Sequence, residues 1–251
     1  MISLLPVEGL PLIQPGDPLA DLIVEAVEST GGVQDGDLLV IAQKIVSKAE
    51  GRVVDLSTVE PSADALLLAE QAEKDPRLVE LILRESRKVV RIRPGLIVVE
   101  DCRGFICANA GIDRSNIEQH NDHERVALLP ADPDASAQHL CTRVHALTGM
   151  RIGVIINDSH GRAFREGTVG VAIGLAGVPA LADRRGEADL TGYVLQHTVI
   201  GIADEIAAAA SIIMGPAAEG VPAVLVRGLD LPPSGSSARE LQRPEENDLF
   251  R

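Results

Sequence analysis

Two aspartates carry the first chemical signal in this chain. Asp113 lies in ANAGIDRSN and Asp158 in VIINDSHGRAFREG, each after an apolar run that reads as a buried strand. In the second stretch the branched residues Val154, Ile155 and Ile156 read as ending in a glycine turn, Asn157 to Gly161, which would deliver the Asp158 carboxylate beside the Ser159 hydroxyl. Carboxylate, amide and hydroxyl oxygens are the donors that magnesium or manganese prefers. One aspartate at a strand end is commonly a turn residue; two such turns with hydroxyls or amides nearby open the alternative of a shared metal site. Positive charge stands close by in sequence. Arg162 and Arg165 follow the second aspartate, and QKIVSKAEGR carries Lys44, Lys48 and Arg52. Lys44 and Lys48 share a face whether that segment is helical or extended. They suit either a solvated surface or a polyphosphate partner.

Other clusters carry less. The stretch GTVGVAIGLAG contains no GxxxxGK[ST] and no GxGxxG after a strand, so Gly167, Gly170, Gly174 and Gly177 read as residues for close packing or bends. RESRKVVRIR places Arg87, Val89, Arg91 and Arg93 on one strand face, as an edge protected by charge or a receiver of an anion. His120 and His123 read as surface residues without a third nitrogen ligand. His160 and Ser159 are adjacent, which rarely lets side chains face one another, and no GxSxG elbow surrounds them. Cys102, Cys107 and Cys141 match no zinc or redox spacing and read as reduced core or near-core thiols.

The 251 residues are 45% apolar and only 2% aromatic, with no Trp, so the core must be Val, Ile, Leu and Ala. A net charge of -14 opposes a general nucleic-acid binder. The start, MISLLPVEGLPLI, is broken by prolines and lacks a basic region, unlike a signal peptide. No stretch approaches the roughly 20 apolar residues of a membrane span. The expected setting is the cytoplasm, without membrane or nucleic-acid partners.

The elements that would position these residues follow from periodicity. Strands are expected over Ile2 to Val7, Leu38 to Ala42, several runs between Lys88 and Ala108, RIGVIIND and PAVLVRG. Helices are expected from Leu19 to Ser29 with Asp17 a candidate cap, Ser62 to Glu73, Asp75-Pro76 to about Arg87, Pro133 to Gly149 capped by Asp132, and Thr198 to Met214. A short helix fits Ala238 to Leu241. The expected fold is mixed α/β (α+β), without the strict alternation of a doubly wound sheet. One domain is expected over 1–231, open to division into two interlocked subdomains, with a polar tail over 232–251.

In order along the chain, DGDLLVIAQKIVSKAEGR, GFICANAGIDRSN, LLPADPDASA, NDSHGRAFREGTVGVAIGLAG, ADEIAAAASIIMG and VPAVLVRG resemble successive blocks of the coenzyme F420:L-glutamate ligases. The likeness runs from GLPLI near the start to ENDLFR at the end. It implies a fold of mixed sheets with flanking helices in an intertwined homodimer. It also implies a GTP-dependent ligase that uses divalent metal, magnesium or manganese in one or two ions, with potassium a candidate monovalent ion. L-glutamate and a deazaflavin precursor would be the other substrates. The nucleotide-contacting residues would be Leu10, Pro11, Leu12 and Ile13, then Gln43, Lys44 and Lys48, and Asn116. The loop Met214, Gly215, Pro216 and Ala217, continuing through Ala218, Glu219, Gly220 and Val221, would add to them. Asp113, Asp158 and Ser159 would hold metal. Asp158 and Arg165 are the catalytic candidates, Arg162 and Arg165 being placed to meet phosphate or the incoming glutamate. The sequence departs from the family at Ser159, commonly Thr, at Pro216, often Gln or Lys, and in NDSHGRAF against DTxGRPW. A same-fold ligase for another carboxylate and a non-catalytic nucleotide or deazaflavin binder are the rival readings.

Overall fold

The computed structural model describes residues 1–119 and 124–248. Its elements in chain order are β1 (Ser3–Pro6), α1 (Leu19–Val27), β2 (Leu38–Ala42), α2 (Gln43–Ala49), β3 (Val53–Asp55), α3 (Ala63–Ala72), α4 (Pro76–Arg84), β4 (Ser86–Arg93), β5 (Leu96–Asp101) and β6 (Ile106–Ala108). There follow β7 (Arg125–Ala127), α5 (Pro133–Thr148), β8 (Gly153–Arg162), β9 (Arg165–Ala176), β10 (Ala182–Asp183), β11 (Val199–Ile200), α6 (Ile202–Met214) and β12 (Ala223–Arg227). The fold is mixed α/β, as its patterning predicts.

The continuous apolar run of β2 is explained by its place in a five-stranded sheet of order β1-β12-β2-β8-β9. Strands β2 and β8 pair in parallel and the other neighbours antiparallel. Both faces are covered, so both faces of β2 must be apolar. Leu39 and Ile41 pack towards α1, α2 and α5. Leu38 and Val40 pack towards α6. A third cluster gathers α3 and α4 around Leu56, Ile97, Val99 and Val126, next to the small sheets β4-β5-β6 and β3-β7. Phe105 touches all three clusters.

Helix starts follow their caps. Ser62, Asp75 and Asp132 accept backbone N–H bonds at the starts of α3, α4 and α5, with proline in the first turn of the last two. Asp17 does not cap α1. Its carboxylate takes the Gln14 N–H instead, and Pro18 holds the cap position. Helix α4 stops at Arg84, short of Arg87, because Ser86 already begins β4. Helix α6 starts at Ile202, since Val199–Ile200 pairs with β10. Two register shifts in β4 break the single face expected for Arg87, Val89 and Arg91, leaving an exposed edge strand.

The largest correction concerns residues 157–161. They are not a turn. After a register shift between Ile156 and Asn157, β8 runs on to Arg162 and folds back through Ala163 and Phe164 into β9. The glycine-rich stretch is β9 itself. Gly170 and Gly174 lie where the backbone meets α6 and the start of α5. A Cβ on Gly170 would fall 2.7 Å from the Ala207 carbonyl oxygen and 2.7 Å from Asn157 Oδ1. The thiols divide: Cys107 is buried and Cys141 half-buried, but Cys102 is exposed, contrary to the near-core reading. Among the described residues no helix is long and apolar enough to cross a membrane.

Candidate functional site

Helix α2 begins directly after β2, so its first turns emerge beside the sheet and carry Lys44 and Lys48 one helical turn apart. Both reach segments far away in sequence. Lys44 Nζ lies 2.8 Å from Asp113 Oδ2 and donates to Ser115 Oγ at 2.6 Å. Lys48 Nζ donates to the Asn116 carbonyl oxygen at 2.7 Å. Asn116 Nδ2 in turn donates to the Ala217 carbonyl oxygen at 3.0 Å. The 113–116 bend is locally built: the Ser115 N–H donates to Asp113 Oδ1 at 2.7 Å, and Asp113 exchanges both backbone hydrogen bonds with Ala127. Thus the lysine pair, the first aspartate, Asn116 and the 214–221 loop, separated along the chain, form one polar cluster.

The electrostatics of the cluster are coupled. Burial pushes the Asp113 carboxyl up, but hydrogen bonds from Lys44 and Ser115 and the Lys44 charge outweigh it and hold it below its ordinary value. Burial, then repulsion from Lys44, lowers the Lys48 ammonium, while Glu118 opposes the shift.

Asp158 enters from the sheet; among the described residues no hydrogen bond or ion pair joins it to the Lys44–Asp113 cluster. Ala42, the last residue of β2, pairs with Asn157. Asp158 pairs with Val171, which packs on the face covered by α1, α2 and α5. Its Oδ2 lies 2.9 Å from His160 Nε2, with both side chains about 15% exposed. Burial alone would lower the His160 pKa. The Asp158 hydrogen bond and charge, aided by Asp101 and Asp204, raise it overall. Phe105 meets the His160 ring edge-on at 6.4 Å. Cys107 is pushed up to about 12 by burial and by the charges of Asp101 and Asp158, so it is inert as a thiolate.

Not every expected residue converges. Ser159 follows Asp158 in an extended strand, so the pleat sends the two side chains to opposite faces. Ser159 pairs with Gly170, which abuts α6, and is itself exposed. The side-by-side carboxylate and hydroxyl expected from a turn is therefore absent. Gln43 is buried, its Oε1 taken by Ser47 at 3.0 Å. Met214 is also buried and accepts a hydrogen bond from Asn157 Nδ2 at its sulfur. Pro216, Ala217, Ala218, Glu219 and Gly220 are exposed; the Ala217 N–H donates to the Glu219 carboxylate. Leu10 and Ile13 anchor their loop in the core while Pro11 and Leu12 face outward. That loop leans on α2 through the Gly16 N–H and the Ala49 carbonyl oxygen, 2.8 Å apart. Arg165 lies exposed near the β8–β9 hairpin tip. His120 and His123 lie outside the described residues.

The donor set fits a hard cation in type. Asp113 supplies carboxylate oxygens from the 113–116 bend and Asp158 from β8, and each carboxylate rests against a basic group of this chain, Lys44 or His160. Among the described residues no group of three or more His, Cys, Asp and Glu converges as a complete protein cage. Two carboxylates plus oxygens of a bound phosphate are a usual arrangement for magnesium. Sequence reasoning missed the Asp158–His160 pair because it placed both in a turn; their i, i+2 spacing on a strand was the available signal. Ser115 was also missed, although an aspartate two residues before a serine is the signature of a local Asx turn.

Residues 9–228 match the family described as F420-0:gamma-glutamyl ligase. The chain is 49% identical to coenzyme F420:L-glutamate ligase of Methanothermobacter thermautotrophicus, covering 100% of this chain and 99% of the relative. It is 47% identical to the protein of that name from Methanopyrus kandleri, over 98% and 97% of the two chains. Against that of Archaeoglobus fulgidus it is 46% identical, over 100% and 96%. The chain belongs to the F420-0:gamma-glutamyl ligase family.

Proposed function

We propose that this family member joins L-glutamate to a deazaflavin F420 precursor, using GTP to activate the acceptor's carboxylate. The observation that carries the nucleotide part is the junction of Lys44 and Lys48 with Asp113, Asn116 and the backbone of Ala217. The acceptor and donor come from the names of the relatives.

A carboxylate and an amine do not condense unaided in water, because the leaving group would be an oxide. Transfer of the γ-phosphoryl group to the acceptor carboxylate gives an acyl phosphate and GDP. Attack by the glutamate α-amine then forms the amide, releases phosphate and gives up a proton. A γ-linked chain results when the acceptor already ends in glutamate.

Phosphoryl transfer depends chiefly on positioning and charge neutralisation. Lys44 and Lys48 supply two positive charges on one helix face, close to the exposed 216–220 loop. Lys44 can exchange Asp113 for a phosphate oxygen without leaving its helix. Asn116, fixed between Lys48 and Ala217, holds the two loops together around the nucleotide. A divalent cation, when bound, supplies further neutralisation of the phosphates, and Asp113 and Asp158 are the residues that would hold it. His160 keeps Asp158 oriented on the α2 side of the sheet. A homodimer is part of this reading, supported by the exposed Phe164 between β8 and β9 and the exposed Leu190 and Tyr193 between β10 and β11. Light scattering of the purified protein tests it.

The decisive experiment is incubation with GTP, manganese, L-glutamate and the deazaflavin precursor, followed by mass spectrometry. A glutamate-dependent gain of one or more glutamyl residues, with matching GDP, is expected. Mass gain on another carboxylate but none on the deazaflavin would move the protein to a different acceptor. Nucleotide binding without any product would leave a binding protein.

A further inference from the structure

A cavity of about 280 Å³, lined by none of the residues of the lysine cluster, lies between the 101–105 turn, the start of α5 and the 238–242 segment. Its walls include Arg52, Glu85, Phe105, Asp132, Arg239 and Gln242. The chain builds these walls deliberately. Ser237 Oγ and the Ala238 N–H donate to Asp134, and Gln242 Nε2 donates to the Arg103 carbonyl oxygen, which docks the C-terminal segment as one wall.

The polar groups of the lining divide into used and unused. Arg103 is committed: it serves Asp101, Glu85 and the carbonyls of Leu129 and Pro130. Arg52 spends Nε on Leu129 and Nη2 on Glu85, and among the described residues its Nη1 has no partner. Arg239 makes no side-chain hydrogen bond or ion pair among the described residues and is exposed at the cavity. Asp132 uses Oδ1 to cap α5, and among the described residues its Oδ2 has no partner. Two free guanidinium edges and one free carboxylate oxygen match a small molecule with two carboxylates and one ammonium. The cavity adjoins the reaction region through Phe105, whose ring lies against His160 and so next to Asp158.

We infer that this cavity is the subsite for the incoming amino acid, with Arg52 and Arg239 receiving the carboxylates of L-glutamate and Asp132 its ammonium group. The assignment of the ligand as glutamate rests on the ligase reading above. It accounts for two features that the nucleotide site leaves unused: Arg239, without a side-chain partner among the described residues, and the docked C-terminal segment.

Cys102 reports on the cavity without turnover. It is exposed and lines the cavity, whereas Cys107 is buried with its thiol pushed up to about 12. Full-length protein is treated with iodoacetamide, and alkylation of each cysteine is read by peptide mass mapping. L-glutamate should slow alkylation of Cys102 and leave Cys141 unchanged; glutarate, which lacks the ammonium, should protect less. In parallel, Arg239→Gln should raise KM for L-glutamate about tenfold, the size of one lost charge-assisted contact, with kcat and the KM for GTP nearly unchanged. Because Arg239 is exposed and makes no side-chain bond among the described residues, the variant should fold normally, which circular dichroism checks. Turnover with no protection of Cys102 and an unaltered glutamate KM in Arg239→Gln would overturn the subsite while leaving the ligase reading intact. Protection by the deazaflavin precursor instead of glutamate would also overturn it. Protection by glutamate without turnover on any acceptor would uphold the subsite and count against the ligase.

Discussion

Replacing Lys44 by Met separates a structural ion pair from a catalytic one, because the two roles predict very different magnitudes. At 2.8 Å, a fully solvated pair of unit charges attracts by about 1.5 kcal/mol. Desolvation and the ordering of the lysine chain cancel most of that, and the Asp113 side chain is 38% exposed and can return to water. The net loss of stability in Lys44→Met should therefore be about 0.5–1 kcal/mol. For a chain of this size that is a fall in Tm of about 1–4 °C. The effect on turnover should be far larger. A lysine that meets phosphate charge developing in a water-poor site is worth about 10²–10³ in rate.

The assay pairs thermal unfolding with GTP-dependent glutamate incorporation in Lys44→Met, Asp113→Asn, the double variant and Lys88→Met. Lys88 is the control, since it forms an exposed pair with Glu245 at 3.4 Å and touches none of the residues of the cluster through that pair. If Lys44 acts on nucleotide, Lys44→Met should raise the KM for GTP as well as lower kcat, whereas Asp113→Asn should mainly alter the response to manganese. The reasoning is refuted if Lys44→Met loses less than about fivefold in kcat/KM, because about 1 kcal/mol of local disturbance accounts for that much. It is equally refuted if Lys88→Met loses as much.

Three further outcomes are expected. Asp158→Asn should nearly abolish metal-dependent GTP turnover while circular dichroism stays unchanged; turnover at the parent level removes Asp158 from the mechanism. Gly170→Ala should cost about 1–3 kcal/mol in urea unfolding, because the added carbon meets the Ala207 carbonyl and Ser211 across a closed strand–helix interface; unchanged stability would mean that α6 can shift freely. Glu80 is held down to about 2 by the Ser62 N–H and hydroxyl and by Arg84. A depressed folded pKa stabilises above the unfolded value and loses that stability as pH falls through the folded one. Acid unfolding of the parent should therefore steepen between about pH 4.3 and 2, and Glu80→Gln should flatten this window; parallel curves would contradict it.

The sheet and its covering helices were legible because periodicity and capping act locally. The apolar run of β2 needs cover on both faces, and α1, α5 and α6 provide it. Asp132-Pro133 and Asp75-Pro76 mark helix starts that the structure keeps. The error at residues 157–161 has an equally physical origin. Asn, Asp, Ser and Gly favour turns when nothing else competes, but here the β9 backbone offers a full antiparallel ladder to Arg162, and pairing overrides local preference. Even so, Gly170 and Gly174 serve packing, as the sequence predicts, since a strand that touches helices so closely has no room for a side chain.

The site was only half legible for a related reason. Which residues carry charge could be read directly, but which charges meet depends on long-range closure. Lys44 finds Ser115, Lys48 finds Asn116, and Asn116 finds Ala217 only because β2, β8 and β12 are neighbours in the sheet and α2 leaves directly from β2. Pleat parity then decides between adjacent candidates. Asp158 faces the α2 side with His160, and Ser159, one residue on, faces the α6 side. A residue's type therefore nominates it for chemistry, while strand register and alternation decide whether it can reach the reacting atoms. If Ser159→Ala left metal-dependent turnover nearly intact while Asp158→Asn removed it, that alternation would be the reason. If Ser159→Ala were as damaging, the pleat would have to open at this point during the reaction.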